Sequence, residues 1–166
     1  MPPPTESAEI AQAELALERL FRLTVNRRVH AKQTAIVGAD VTRAGYAILR
    51  TLAESGELPM GQLARRCSMD PAAANRQVRS LEDDELVERM HDADDGRLSV
   101  ARLTAKGRRV YERIVALRIE HMTDVLDGWS TDDKANLIRI VDRLVIDLRS
   151  TPIRPTALRT TTRETK

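Results

Sequence analysis

The apolar positions in the middle of the chain predict two short helices in quick succession. Over 61–67 the apolar residues share one narrow helical face, and over 71–84 they recur at i, i+4 and i+7. These residues are Leu63, Ala64 and Cys67, followed by Ala74, Val78 and Leu81. Asp70 can accept hydrogen bonds from the free amides of the second helix, and Pro71 suits its first position. Residues 68–69 are left as a tight turn between the helices.

After residue 85, side chains alternate between two faces as they do in β-strands. Residues 86–90 and 97–103 predict two antiparallel strands joined by a polar, acidic turn over 91–96. The return strand places Ser99, Ala101 and Leu103 on one face and Leu98, Val100 and Arg102 on the other. Because both faces carry apolar residues, the pattern does not choose the buried one. Helix, turn, helix and hairpin in this order predict a winged helix-turn-helix, which is a DNA-reading module.

The flanking segments predict longer helices and complete the domain organisation. We expect a second helix capped by Thr42, a helix that follows Thr104, and a last helix capped by Thr131. The predicted regions are a disordered N-terminus at 1–7, a winged helix-turn-helix at 42–104, a helical dimerisation region at 8–37 and 105–149, and a flexible basic tail at 150–166. The predicted fold class is mainly α with a small β-hairpin wing (α+β).

The terminal helices carry more apolar surface than one small winged domain can cover. We therefore expect them to pair with a second copy of the chain, the alternative being that they fold back on their own protomer. Only 2% of the 166 residues are aromatic, so the core must be aliphatic. No apolar run is long enough to span a bilayer and no signal peptide is visible, which predicts a cytoplasmic protein without a membrane partner.

The charge of the chain does not by itself argue for nucleic-acid binding. The net charge is +2, and the stretch 58–104 carries seven arginines against nine acidic residues. A DNA-binding protein needs a basic face rather than a basic total, so the arginines must line up on one surface. Most of the acidic residues cluster at 82–85 and in the turn at 91–96.

Several linked motifs between Val41 and Tyr111 resemble the MarR family of bacterial transcriptional regulators. The matching residues are Gln62-Leu63-Ala64, Arg76-x-Val78-x-x-Leu81-Glu82, Leu86-Val87-Glu88-Arg89, Asp95-Gly96-Arg97 and Leu103-Thr104-x-x-Gly107. The resemblance implies a two-fold homodimer with its recognition helices about one DNA turn, ~34 Å, apart on a palindromic operator. It also implies that Ser99, Ala101 and Leu103 form the buried face of the return strand.

The chain departs from the family pattern at two places in the reading module. Glu85 stands where the family usually has glycine, a position that often needs a left-handed backbone and costs another residue about 1 kcal/mol. Pro71, Ala72 and Ala73 stand where the family often has serine or threonine early in the recognition helix. Fewer polar contacts then come from the first turn, so later residues must supply more of them.

The candidate DNA-binding residues follow from the chemistry of arginine and asparagine. Asn75 and Arg76 are expected to read base edges, and Arg79 to contact a phosphate or a base. The resemblance implies that Arg97 reaches the minor groove or its phosphates from the wing and that Asp95 holds it. Arg65 and Arg66 are further phosphate candidates. The alternative for each is a solvated surface position or, for the Asp95–Arg97 pair, a contact that only fixes the turn.

The resemblance also implies a cleft for a small aromatic, anionic or phenolic ligand whose binding releases DNA. By layout it would be lined from Arg28, His30, Tyr46 and Tyr111. The alternative is that these residues are ordinary packing and surface positions.

The remaining chemistry-bearing residues do not form a catalytic or metal site in the sequence. Cys67 lies on an apolar helix face, which favours a packing role over redox sensing. His30, His91 and His121 are too scattered to predict a metal site, and no motif indicates an enzyme or a cofactor. We therefore predict a DNA-binding transcriptional regulator, more specifically a repressor. The alternative is a winged-helix protein-interaction module without sequence-specific DNA binding.

Overall fold

A computed structural model describes residues 6–24, 38, 41–91 and 99–153 of the chain. Six helices and three short strands are formed within these ranges. In chain order they are α1 (Glu6–Thr24), α2 (Arg43–Ser55), β1 (Leu58–Pro59), α3 (Met60–Arg66), α4 (Pro71–Asp83), β2 (Val87–His91), β3 (Ser99–Leu103), α5 (Ala105–Val125) and α6 (Thr131–Ser150). The helix-turn-helix is α3 and α4, and β2 and β3 are the strands of the predicted wing.

The strands form one antiparallel sheet in the order β1-β3-β2, with the return strand in the centre. Strands β2 and β3 pair from Val87 opposite Leu103 to His91 opposite Ser99. The predicted two-stranded hairpin is therefore incomplete, because β1 adds a third strand that pairs Leu58 with Ala101. On β3, Ala101 is fully buried, and Ser99 and Leu103 are half-buried, with Leu103 packed against the core. The face that the family resemblance implied is therefore confirmed at Ala101 and Leu103.

The core lies where α2, α3, α4 and the start of α5 enclose the sheet. Its largest fully buried side chains are Val41, Ile48, Leu49, Leu52, Leu63, Val78, Leu86 and Ile114. Every one is aliphatic, as the scarcity of aromatic residues predicted. The predicted inward faces of α3 and α4 are confirmed at Leu63, Ala64, Ala74, Val78 and Leu81, all of which are buried.

The recognition helix α4 begins as predicted and ends on a residue with a left-handed backbone. Asp70 caps it by accepting from the amide of Ala73 at 2.8 Å, with Pro71 at the first helical position. At the other end Glu85 has φ +59°, its amide donates to Glu82, and the amide of Leu86 donates to Leu81. These two bonds form a Schellman motif, which ends a helix through a left-handed residue and usually uses glycine there.

Glu85→Gly is therefore expected to raise the free energy of unfolding by about 1 kcal/mol, since glycine adopts a left-handed backbone without strain. The substitution also removes an ion pair between Glu85 and Lys106, but both partners are at least half exposed, so little is lost. Thermal unfolding followed by circular dichroism measures the effect. Glu85→Ala is the control, because it removes the same ion pair and keeps the strain. Equal melting temperatures for the two variants would show that the backbone at this position stores no strain.

The start of α5 is joined closely to the end of α4. Thr104 caps α5 by accepting from the amide of Gly107 at 2.9 Å, and its hydroxyl donates to the carbonyl of Glu85 at 2.7 Å. The amide of Thr104 donates to the carbonyl of Leu86 at 3.1 Å. A Cβ added at Gly107 would lie 1.9 Å from that same carbonyl oxygen. The Leu-Thr-x-x-Gly motif thus provides a cap and a close backbone contact.

The first and last helices begin earlier in the chain than predicted. Helix α1 begins at Glu6, so residues 6 and 7 are helical rather than disordered, because two glutamates in the first turn suit the positive helix end. The last helix is capped by Ser130, one residue before the predicted Thr131, and the Ser130 hydroxyl accepts from the amide of Asp133. The predicted continuation of the first helix over 25–37 and the tail beyond 153 lie outside the described residues.

The chain divides into two units after His121. In the first unit, α1 exposes Ile10, Leu20 and Leu23 by about half or more of their surface. In the second unit, α6 has no buried residue at all. Among the helices that the structure describes, none is long and apolar enough to cross a membrane.

Candidate nucleic-acid interface

The side of α4 that faces away from the core carries two arginines. Arg76 and Arg79 are exposed, and helical spacing places them opposite Ala74, Val78 and Leu81. Ala72, one turn before Arg76, is small and exposed, so it leaves the helix surface open to close approach. Within the described part of the chain, neither guanidinium makes an ion pair or a hydrogen bond. Both are therefore available to a ligand that supplies acceptors.

Asn75 is exposed but already engaged at both ends of its amide. Its Nδ2 donates to the carbonyl of Pro71 at 3.0 Å, and its Oδ1 accepts from Nη1 of Arg89 at 3.3 Å. The sequence predicted Asn75 as a reader of base edges. The structure places it at the edge of α4 next to the wing strand, with its amide held in one orientation.

Arg89 of β2 is a residue that the sequence interpretation overlooked. Its guanidinium makes a forked ion pair with Glu82 of α4, in which Nε lies 2.9 Å from each carboxylate oxygen and Nη2 also donates to one of them. The pair is about three-quarters buried, with 24% and 27% of the two side chains exposed. The hydrogen bonds to Glu82 raise the pKa of Arg89, while its burial acts in the opposite direction.

The local ion pairs explain how an acidic module can present a basic face. Three acidic residues of the module form ion pairs with basic residues other than the exposed Arg76 and Arg79 of α4. These pairs are Glu82 with Arg89, Glu85 with Lys106, and Glu88 with Arg102. Because their partners lie on the sheet or on α5, these carboxylates leave Arg76 and Arg79 unneutralised.

The arginines of α3 differ from one another. Arg66 donates through Nη1 to the hydroxyl of Ser55 at 2.6 Å, which holds it against the end of α2. Arg65 is exposed. Of the two phosphate candidates, Arg65 is the better placed for an outside ligand.

One hydrogen bond links the recognition helix to the start of α2. The hydroxyl of Thr42 accepts from the amide of Gly45, which caps α2, and donates to Oε1 of Gln77 on α4 at 2.7 Å. This contact fixes the first turn of α2 against α4. The predicted wing residues Asp95 and Arg97 lie outside the described residues.

A second cluster of polar and aromatic side chains joins α2 to α5. The rings of Tyr46 and Tyr111 stack with their centroids 6.0 Å apart, and the guanidinium carbon of Arg118 lies 3.8 Å from the centroid of Tyr46. Burial raises the pKa of Tyr111, and the nearby phenol of Tyr46 adds to this. Arg118 was not among the predicted residues, because only the fold brings it over Tyr46. The other two candidates in this region, Arg28 and His30, lie outside the described residues.

Cys67 is half-buried at the end of α3 and packs against the core. Its sulfur lies 3.3 Å from the hydroxyl of Thr51 and 3.7 Å from the carbonyl of Ala47. These contacts suit a small packing residue. In the ranges 6–24, 41–91 and 99–153, no group of three or more His, Cys, Asp and Glu side chains is arranged to hold a metal ion.

Known proteins are similar to this chain in sequence and in fold. The MarR family model matches residues 41–99. The HTH-type transcriptional repressor Rv2887 of Mycobacterium tuberculosis is 32% identical over 113 residues, which cover 68% of this chain and 81% of that protein.

Solved structures with lower identity share the fold. A MarR family protein from Bacillus stearothermophilus superposes with a TM-score of 0.70 at 22% identity, covering 84% of this chain and 98% of that one. The PcaV transcriptional regulator from Streptomyces coelicolor, solved with its natural ligand, has a TM-score of 0.58 at 20% identity, covering 89% and 99%. The winged helix-turn-helix, its sequence motifs and these likenesses agree, and the chain belongs to the MarR family of transcriptional regulators.

Proposed function

We propose that this protein is a homodimeric repressor that binds a palindromic operator in DNA and is released by a small-molecule ligand. The observation that carries the proposal is the pair of unneutralised arginines, Arg76 and Arg79, on the exposed side of the recognition helix. Arginine binds the O6 and N7 atoms of guanine in two parallel hydrogen bonds and also binds phosphates. Asn75, Arg65, Arg66 and the wing residues Asp95 and Arg97 complete the proposed contact surface, with Arg66 also bonded to the hydroxyl of Ser55.

The dimer is supported by apolar surface that a protomer leaves exposed. On α6, Leu137, Val141, Leu144 and Leu148 recur at i, i+4, i+7 and i+11, so they share one face. Val141 and Leu148 are 41% and 59% exposed, and Leu137 and Leu144 are half-buried. A contiguous apolar face that is left exposed is characteristic of an interface. The dimerisation region at 8–37 and 105–149 is accordingly part of the proposal.

Ligand release is supported by the cluster of Tyr46, Tyr111 and Arg118. Two stacked phenol rings and a guanidinium offer an aromatic surface and a positive charge, which suit a small aromatic anion. A related fold, PcaV, was solved with a natural ligand. Arg28 and His30 are the further residues expected to line this cleft.

Selection of bound sequences from a random duplex pool, at near-physiological salt, tests the proposal. A homodimer should enrich an inverted repeat with half-sites about one helical turn apart. Its affinity should fall steeply as salt is raised, because phosphate contacts release counterions. A folded dimer that enriches no sequence would instead indicate a winged-helix protein-interaction module.

Arg76→Ala is expected to remove preference for one base pair in each half-site while the dimer stays intact. A bidentate arginine–guanine contact gives about 1–3 kcal/mol of discrimination. Binding to the selected operator and to variants changed at single positions measures the effect. Arg113→Ala is a matched control, because it removes the same charge from an exposed position on α5. Unchanged operator affinity for Arg76→Ala would show that α4 does not read DNA through the exposed side that carries Arg76 and Arg79.

A further inference from the structure

Arg89 of the wing strand holds two side chains of the recognition helix at once. Its Nε bonds to both carboxylate oxygens of Glu82, and its Nη1 donates to Oδ1 of Asn75. Glu82 and Asn75 lie about two helical turns apart on the same side of α4. One planar guanidinium therefore spans two turns of α4 and joins them to β2.

The contact with Arg89 also determines which way the amide of Asn75 points. Nδ2 donates to the carbonyl of Pro71 and Oδ1 accepts from Arg89, so exchanging the amide's oxygen and nitrogen would lose both bonds. An amide nitrogen has two N–H groups and an amide oxygen accepts two hydrogen bonds. Asn75 thus keeps one donor and one acceptor for another partner. Adenine offers the complementary acceptor and donor, N7 and the N6 amino group, in the major groove.

We propose that Arg89 is a positioning residue for base reading, which fixes Asn75 so that the protein selects adenine at one position of each half-site. This inference rests on the proposed DNA-binding function. Arg89 acts through Asn75, because its Nε, Nη1 and Nη2 each already donate to Glu82 or Asn75 on α4.

A second ion pair on the same sheet shows what distinguishes Arg89. Arg102 on β3 pairs with Glu88 on β2 at 2.7 Å, but 45% and 46% of these side chains remain exposed. The partner of Arg102 lies on the sheet, whereas both partners of Arg89 lie on α4. Removing Arg102 should therefore leave the recognition helix unaffected, and removing Arg89 should not.

Arg89→Lys is the central test. Lysine keeps the charge but lacks the planar fork that contacts Glu82 and Asn75 together. We expect Arg89→Lys and Asn75→Ala to lose preference for adenine at the same position in a random duplex selection, each by roughly five- to 150-fold. The double variant should lose no more at that position than Asn75→Ala alone. The salt dependence of binding should stay unchanged, because no phosphate contact is removed.

Arg102→Lys is the matched control and should leave the preference profile as it is in the wild type. Thermal unfolding of each variant establishes that it is folded, and Glu82→Gln, which keeps the size of the side chain, should weaken the same preference in part. Retained adenine preference in Arg89→Lys, or an equal loss of affinity for all sequences, would overturn the inference. If the wild type selects no sequence, the proposed function itself fails; if it selects one and Arg89→Lys selects the same, only the positioning role fails.

Discussion

Replacing Gly107 with alanine is expected to lower the free energy of unfolding by about 3 kcal/mol, the upper end for overpacked sites. The added Cβ would lie 1.9 Å from the carbonyl oxygen of Leu86, a distance that real Cβ atoms do not adopt. The obstacle is backbone rather than a flexible side chain, so α5 must shift away from the end of α4. That shift would also disturb the hydrogen bond from Thr104 to the same carbonyl.

Gly61→Ala is the control: it makes the same substitution in another helix and is expected to raise the free energy of unfolding rather than lower it. Gly61 is exposed in α3, and an added Cβ would meet only the end of the Arg65 side chain, at 3.9 Å. Alanine favours the helical state over glycine by about 1 kcal/mol. Chemical denaturation of both variants gives the comparison. Equal stabilities for Gly107→Ala and the wild type would mean that α5 can move freely relative to Leu86.

Leu144→Asp is expected to convert the proposed dimer to monomers at micromolar concentration and to weaken operator binding at the same time. The residue lies on the apolar face of α6, and a carboxylate buried there without a partner would cost several kcal/mol. A change of 4 kcal/mol, as an order-of-magnitude estimate, raises the dimer dissociation constant about 1,000-fold. Analytical ultracentrifugation measures the association state. Operator binding falls with it because the two half-sites are no longer engaged together.

Two further variants separate loss of the dimer from loss of the fold. Leu148→Asp places the same charge on the same face at a side chain that is 59% exposed, so the protomer should tolerate it. Asn136→Asp places a carboxylate on the polar side of α6 and should leave the dimer intact. A dimer that persists in both Leu144→Asp and Leu148→Asp would show that α6 does not form the interface.

The features that could be predicted from sequence are those determined by neighbouring residues. The caps at Thr42, Asp70 and Thr104 were recognisable because a capping side chain bonds to an amide three residues later. The left-handed backbone at Glu85 was implied by the family resemblance, which places glycine at this position, and the structure confirms it with φ +59°. The buried faces of α3 and α4 followed from helical spacing alone.

The features that were missed depend on contacts between distant parts of the chain. Strand β1 has only two residues, one of them proline, so it shows no alternation that a sequence could reveal. The contacts of Arg89 with Glu82 and Asn75 require the relative placement of β2 and α4. Arg118 lies over Tyr46 only because α5 packs beside α2. The cap of α6 was displaced to Ser130 because adjacent serine and threonine offer two equivalent caps.

Because β1 pairs with β3, the segment that contains the helix-turn-helix and the wing begins and ends in the same sheet. Leu58 immediately precedes α3, and the chain then passes through α4 and β2 before β3 returns to pair with Leu58 at Ala101. The helices α3 and α4 therefore lie in a segment whose first and last strands are paired with each other. Local opening of one element must break contacts in the others, so the amide protons of α3, α4 and the sheet should exchange with solvent as a single cooperative unit. Such a unit keeps the spacing between helix and wing constant whenever it is folded at all.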